Sequence, residues 1–128
     1  MHKSRLGTVV IDCKTDDLDH VAQFWGQALG HDVLHRYQPG DENYRGLTSN
    51  PTQLKILVQR VNHSSRVHLD IETDNVEAEV ERLVNIGAAK IEKVRDWWVM
   101  EAPTGHRFCV VPFQRPDFES EANTWNTL

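Results

Sequence analysis

The sequence repeats itself, and that constrains its fold more than any other feature. Ile11-Asp12-Cys13-Lys14-Thr15-Asp16-Asp17-Leu18 resembles Leu69-Asp70-Ile71-Glu72-Thr73-Asp74-Asn75-Val76. Asp, Thr and Asp recur at a constant separation of 58 positions (12 and 70, 15 and 73, 16 and 74), with apolar residues and an Asp/Asn pair matching around them. Each copy then enters a helical pattern that ends at a glycine, Gly30 in the first and Gly87 in the second. Self-similarity of this kind sets the architecture before any single element does.

Both copies read the same way physically. Thr8–Cys13 and Arg66–Glu72 are β-branched or alternating runs and predict strands. In the second, Val67, Leu69 and Ile71 take one face while His68, Asp70 and Glu72 take the other. Asp16 and Asp74 are expected to cap the helices that follow, with Asp19 and Glu77 three residues on. Leu18, Val21, Ala22, Trp25, Ala28 and Leu29 form one apolar helical stripe, and Val76, Val80, Leu83 and Val84 another. After the first helix come His31–Tyr37, a Pro39-Gly40 turn, Tyr44–Thr48, Asn50-Pro51 and Leu54–Val61. After the second come Ala89–Val94, Trp97–Met100, a turn at Pro103-Thr104-Gly105, and Arg107–Val111. Each half is therefore βαβββ. The expectation is one α+β domain over residues 1–128: a first module over about 5–61, a polar linker at 62–65, a second module over about 66–112, and a tail over 113–128 carrying Phe113, Phe118 and Trp125.

At 128 residues the chain has room for one core. Lys and Arg number 14 against 19 Asp and Glu, a net charge of −5, which is not the basic footprint of a nucleic-acid binder. Apolar runs such as Val9-Val10-Ile11 are too short to cross a bilayer. The opening Met-His-Lys-Ser-Arg-Leu-Gly lacks the apolar stretch of a signal peptide. Two cysteines, Cys13 and Cys109, make no disulfide framework, so a reducing cytoplasm is the expected setting. Walker A, dinucleotide-binding and H-E-x-x-H patterns are absent from the sequence.

Several residues carry chemistry. Histidine is the side chain best suited to general acid or base work near neutral pH, so His68 is a candidate for it, and Asp70 on the same strand face could orient it or simply hydrogen-bond it in place. Asp12 and Asp70 are either a carboxylate pair or two structural groups doing the same job in each half. Cys109 follows Arg107 on one strand face and is either an activated thiol or an apolar filler. Trp97 and Trp98, adjacent on a strand, must face opposite ways, so one offers an aromatic wall to a flat ligand and the other meets core or a subunit seam. Arg36, Arg45 and Arg60 are cations suited to an anionic ligand or to a solvated edge. Cys13 and Trp25 are expected in the core.

The order and spacing of several stretches carry a family resemblance. In the first half they are Val9-Val10-Ile11-Asp12-Cys13, the Phe24-Trp25 pair before Ala28-Leu29-Gly30, and Gln59-Arg60-Val61. In the second they are Arg66 to Ile71, Trp98-Val99-Met100, and Pro103 to Val111. Over roughly residues 5–115 the chain resembles the vicinal oxygen chelate superfamily, which includes glyoxalase I, bleomycin-resistance proteins and extradiol dioxygenases, and within it the glyoxalase-like domain branch. The resemblance implies two modules curving a mixed sheet into a cup, frequent dimerisation, and one divalent metal on four ligands, usually His and Glu, from the first and last strands of each module. Carried over, those positions hold His68 and Cys109 in the second module, and Val10 with Leu57 or Gln59 in the first. Valine and leucine cannot ligate. The implied function is binding of a small organic molecule in the cup without the usual metal site and with no cofactor. Trp97 or Trp98 would form its wall, with Gln59, His68, Asp12, Arg107 and Cys109 as contacts. A homodimer is implied, with neither nucleic acid nor membrane as partner. One alternative is a metal-dependent lyase, isomerase or dioxygenase with a site rebuilt around His68, drawing on Asp70, Asp12 and Cys109. Another is metal-free catalysis with His68 as base and Asp70 orienting it.

Overall fold

The structure, a computed structural model, describes residues 1–34, 40–47 and 50–126. It divides into two compact units, Thr8–Val67 and Met1–Gly7 with His68–Leu128. Strand β1 (His2–Cys13) contributes to both, its later residues to the first and its opening residues to the second.

In the first unit β1 runs parallel to β3 (Lys55–Arg60), from Thr8 opposite Lys55 to Cys13 opposite Arg60. Strand β2 (Tyr44–Gly46) is antiparallel to β3, with Tyr44 opposite Gln59. Helix α1 (Leu18–Leu29) covers one face, where Cys13, Leu18, Ala22, Leu47 and Val58 are buried and Trp25 packs beside them. The N-cap is Asp17 rather than the expected Asp16, because it is the Asp17 carboxylate that accepts the His20 amide three residues on. Gly30 ends the helix at φ 77°, a left-handed conformation that glycine adopts without steric cost. The expected strand from His31 to Tyr37 shows a Val33–Leu47 bridge. Residues 35–39 and 48–49, Arg36 among them, lie outside the described residues.

In the second unit β4 (Arg66–Thr73), β7 (Arg107–Pro112), β6 (Trp97–Glu101) and β5 (Ala89–Val94) lie side by side in that order. Helix α2 (Val76–Asn85) packs Val80 and Leu83 onto Met100 and Val110, with Ile71, Trp98 and Phe108 around them. Its N-cap is Asn75, which accepts from the Ala78 amide, while Asp74 instead accepts from the Lys3 amide. The two caps, Asp17 and Asn75, are again 58 positions apart, so the repeat holds one residue beyond Asp16 and Asp74.

The tail packs. Helix α3 (Phe118–Glu121) buries Phe118 completely, and β8 (Asn123–Trp125) pairs antiparallel with the start of β1, Trp125 opposite His2. Two buried carboxylates fasten these ends. Glu79 on α2 accepts from Ser4 Oγ at 2.7 Å and from Arg82 Nε and Nη2 at 2.8 Å each, and His2 Nε2 lies 2.8 Å from it. The Arg82 guanidinium lies 3.8 Å over the Trp125 ring. Glu72 on β4 accepts from Arg5, Arg115 and the Gln114 amide.

Candidate functional site

Ladder register decides which side chains share a face. Asp70 of β4 lies opposite Cys109 of β7, and Val99 and Glu101 of β6 lie opposite Cys109 and Arg107. Alternation then puts His68, Asp70, Arg107, Cys109, Glu101, Val99 and Trp97 on one face, and Ile71, Phe108, Val110, Met100 and Trp98 on the other. Helix α2 covers the second face, so the first is the face free of it.

The helix-free face gathers ionisable groups. Ligand atoms of His68, Asp70 and Cys109 all lie within 4.8 Å of one another. His68 Nε2 and Asp70 Oδ1 are 3.4 Å apart, longer than the roughly 2.7–2.9 Å of a charge-assisted hydrogen bond. Asp70 Oδ1 is buried and accepts no hydrogen bond. The two side chains are only 13% and 17% exposed. Beside them Arg107 donates to Glu101 at 3.2 Å. The sequence reading missed Glu101, although alternation from Trp97 carries it onto this face.

The tryptophans separate as alternation requires. Trp97 shares the face of Cys109, whereas Trp98 packs against α2, donates to Glu77 at 3.4 Å and carries Lys90 Nζ 4.5 Å from its ring centre. The structure therefore puts Trp97, and not Trp98, on the face that carries the polar cluster.

The first unit holds the other candidates. Asp12 is 2% exposed, with Arg66 Nε 3.8 Å from Oδ2. It borders an open groove of about 410 Å³ that Trp25, Lys14 and Arg66 also line. Gln59, in register with Asp12, donates to the Tyr44 hydroxyl at 3.2 Å. Burial pushes the Cys13 thiol up, and the Asp12 charge adds to it, so Cys13 is an inert core thiol. Arg45 is taken up by Asp19 at 2.8 Å, and Arg60 by Asn43 at 3.1 Å.

The four-ligand metal set implied by the family resemblance does not fit these residues. Val10 and Leu57 stand opposite one another in the β1–β3 ladder, and neither has a donor atom. Gln59 is engaged with Tyr44. Of the second module's positions, His68 keeps its type and Cys109 puts a thiol where a carboxylate is usual.

Comparisons with known proteins agree with the topology. The model of a family described as a glyoxalase-like domain matches residues 8–111. Among solved structures, methylmalonyl-CoA epimerase from Mycobacterium tuberculosis superposes with a TM-score of 0.61 at 16% identity, over 90% of this chain and 91% of that one. A methylmalonyl-CoA epimerase in complex with methylmalonyl-CoA and NH4+ gives 0.59 at 16% identity, over 87% and 95%. A Streptomyces coelicolor epimerase variant in complex with 2-nitronate-propionyl-CoA gives 0.59 at 18% identity, over 85% and 96%. At such identities the likeness is one of fold. No curated protein matches the chain by sequence.

Proposed function

The chain belongs to the glyoxalase-like domain family of the vicinal oxygen chelate superfamily, and from that premise we propose that it binds a small organic molecule on the helix-free face of its second unit. One observation carries this reading. His68, Asp70, Arg107, Cys109 and Glu101 share that face with Trp97, while the apolar core of the unit lies on the α2 side. A core needs no such set, whereas an aromatic surface beside a few convergent polar groups is the usual make-up of a ligand site. Arg107 supplies a planar cation that suits a carboxylate, His68 a donor or acceptor, and Trp97 a stacking surface. A flat or acyl-bearing acid is the chemistry this set would hold. Two of the structural neighbours support the class, since they hold CoA esters. The usual four-ligand metal site has no part in this reading. The same reading has the protein acting as a homodimer in the cytoplasm, closed with the two-fold symmetry most homo-oligomers use, and with neither nucleic acid nor membrane as partner. No helix among the described residues is long and apolar enough to cross a membrane.

The test is a tryptophan-fluorescence titration of the full chain with a panel of aromatic and acyl carboxylates. At least one compound should quench saturably. Arg107→Gln should weaken it about tenfold or more, as expected where a charged hydrogen bond worth about 1.5–3 kcal/mol is lost. His68→Ala should cost a modest factor in affinity. A panel with no binder, or a binder indifferent to both substitutions, would sink the proposal.

A further inference from the structure

We propose that His68 Nε2, Asp70 Oδ1 and Cys109 Sγ form a three-donor site for one divalent cation of the zinc class, built within a single module. The geometry is that of a ligand set. Tetrahedral zinc with bonds of about 2.0 Å to nitrogen and oxygen and about 2.3 Å to sulfur places its donors roughly 3.3–3.6 Å apart. The Nε2–Oδ1 separation of 3.4 Å falls on that edge length, and all three donor atoms already lie within 4.8 Å of one another.

A second, independent observation is the state of Asp70. Its Oδ1 is buried and accepts no hydrogen bond, although it faces the imidazole. A buried carboxylate oxygen without a donor is costly, and groups left in that state in a folded protein call for a water or an ion. A cation between the three atoms would satisfy it. The donors also sit on paired strands rather than loops. Asp70 and Cys109 are direct partners in the parallel ladder, and His68 is one pleat back on the same face, so the backbone fixes their spacing.

This keeps the second module's two positions, His68 and Cys109, and differs from the family's arrangement in the rest of its membership. It takes no ligand from Val10 or Leu57, recruits Asp70, and replaces a carboxylate with a thiolate. Nitrogen, oxygen and sulfur together favour zinc or cobalt over magnesium or calcium. Three protein donors leave a fourth position open to solvent or to a ligand oxygen. On binding, the Cys109 thiol gives its proton to solvent and ligates as the thiolate. The inference does not depend on the carboxylate reading above, because it is tested with metal alone.

The experiment is a cobalt(II) titration of the purified full chain, followed by thiolate-to-cobalt charge-transfer absorption and then by displacement with zinc. The expected result is a band saturating at one equivalent and bleached by zinc. Cys109→Ser should abolish it, while Cys13→Ala, at a core cysteine, should keep it. Asp70→Asn and His68→Gln should weaken binding by more than the roughly 10–100-fold that loss of an outer-shell partner costs. Circular dichroism establishes that each variant is folded. No band in the wild-type protein, or a band that survives Cys109→Ser, overturns the inference.

Discussion

At the scale of single residues, the two buried glutamates are the most consequential groups outside the site. Glu79 is fully buried, and burial by itself pushes its carboxyl up. Hydrogen bonds from Arg82, His2 and Ser4 outweigh that and hold it below the ordinary glutamate value. Glu72 is held down the same way, against its burial, by Arg5, the Gln114 amide and Arg115. A carboxyl depressed in the folded state contributes its full stability above the unfolded value of about 4.3 and loses it as pH falls through the folded value. Urea midpoints measured from pH 7 down to 3 should therefore fall steeply below about pH 4. Glu79→Ala should cost about 3 kcal/mol at pH 7, because it strands the buried donors His2 and Ser4, and it should flatten that acid limb. An unchanged limb in Glu79→Ala would show that Glu79 is not a source of the acid sensitivity. Neither glutamate was legible as buried in the sequence. A charge reads as solvated unless its partners are known, and three of these partners, His2, Ser4 and Arg5, lie 67 to 77 residues away along the chain.

At the scale of elements, the strand–cap–helix grammar was readable because the repeat states it twice. The caps slipped by one residue because Asp16 and Asp17 are adjacent and chemically alike, and only the amide of His20 chooses between them. The true start of β1 was hidden for a related reason. His2 and Ser4 are buried polar residues facing Glu79, so apolar alternation places the strand's beginning at Thr8 rather than His2. Helix α1 contains a position where propensity and packing disagree. Replacing a mid-helix glycine by alanine ordinarily gains about 1 kcal/mol. At Gly26 the added Cβ would sit 2.7 Å from the His31 carbonyl oxygen, which is backbone and cannot swing away. Gly26→Ala should therefore lower the thermal midpoint, and a rise would mean that the turn after α1 yields easily.

At the scale of the whole molecule, the βαβββ repeat was legible, and most residues of the candidate site could be named from the sequence. The feature that unites them was not legible. That His68, Asp70, Arg107 and Cys109 share a face depends on β4 lying beside β7 in one particular register, and a single sequence holds no record of which distant strand is the neighbour. The same blindness left Trp97 and Trp98 equivalent until α2 claimed one of them. The pairing of His2 with Trp125 has a further consequence. It makes the linear order of this chain dispensable. The second unit is written in two pieces, one at either end of these 128 residues, and the two pieces meet in one ladder. A circular permutant that joins the ends through a short flexible linker and opens in the exposed Asn62–Ser65 loop would write the second unit without interruption. It should reach the same near-ultraviolet dichroism as the parent. It should also refold faster, since the ladder between β1 and β8 becomes a local contact rather than one spanning the chain. The protein's fold would then survive a new beginning, and its rate of folding would report how much the old one slowed it.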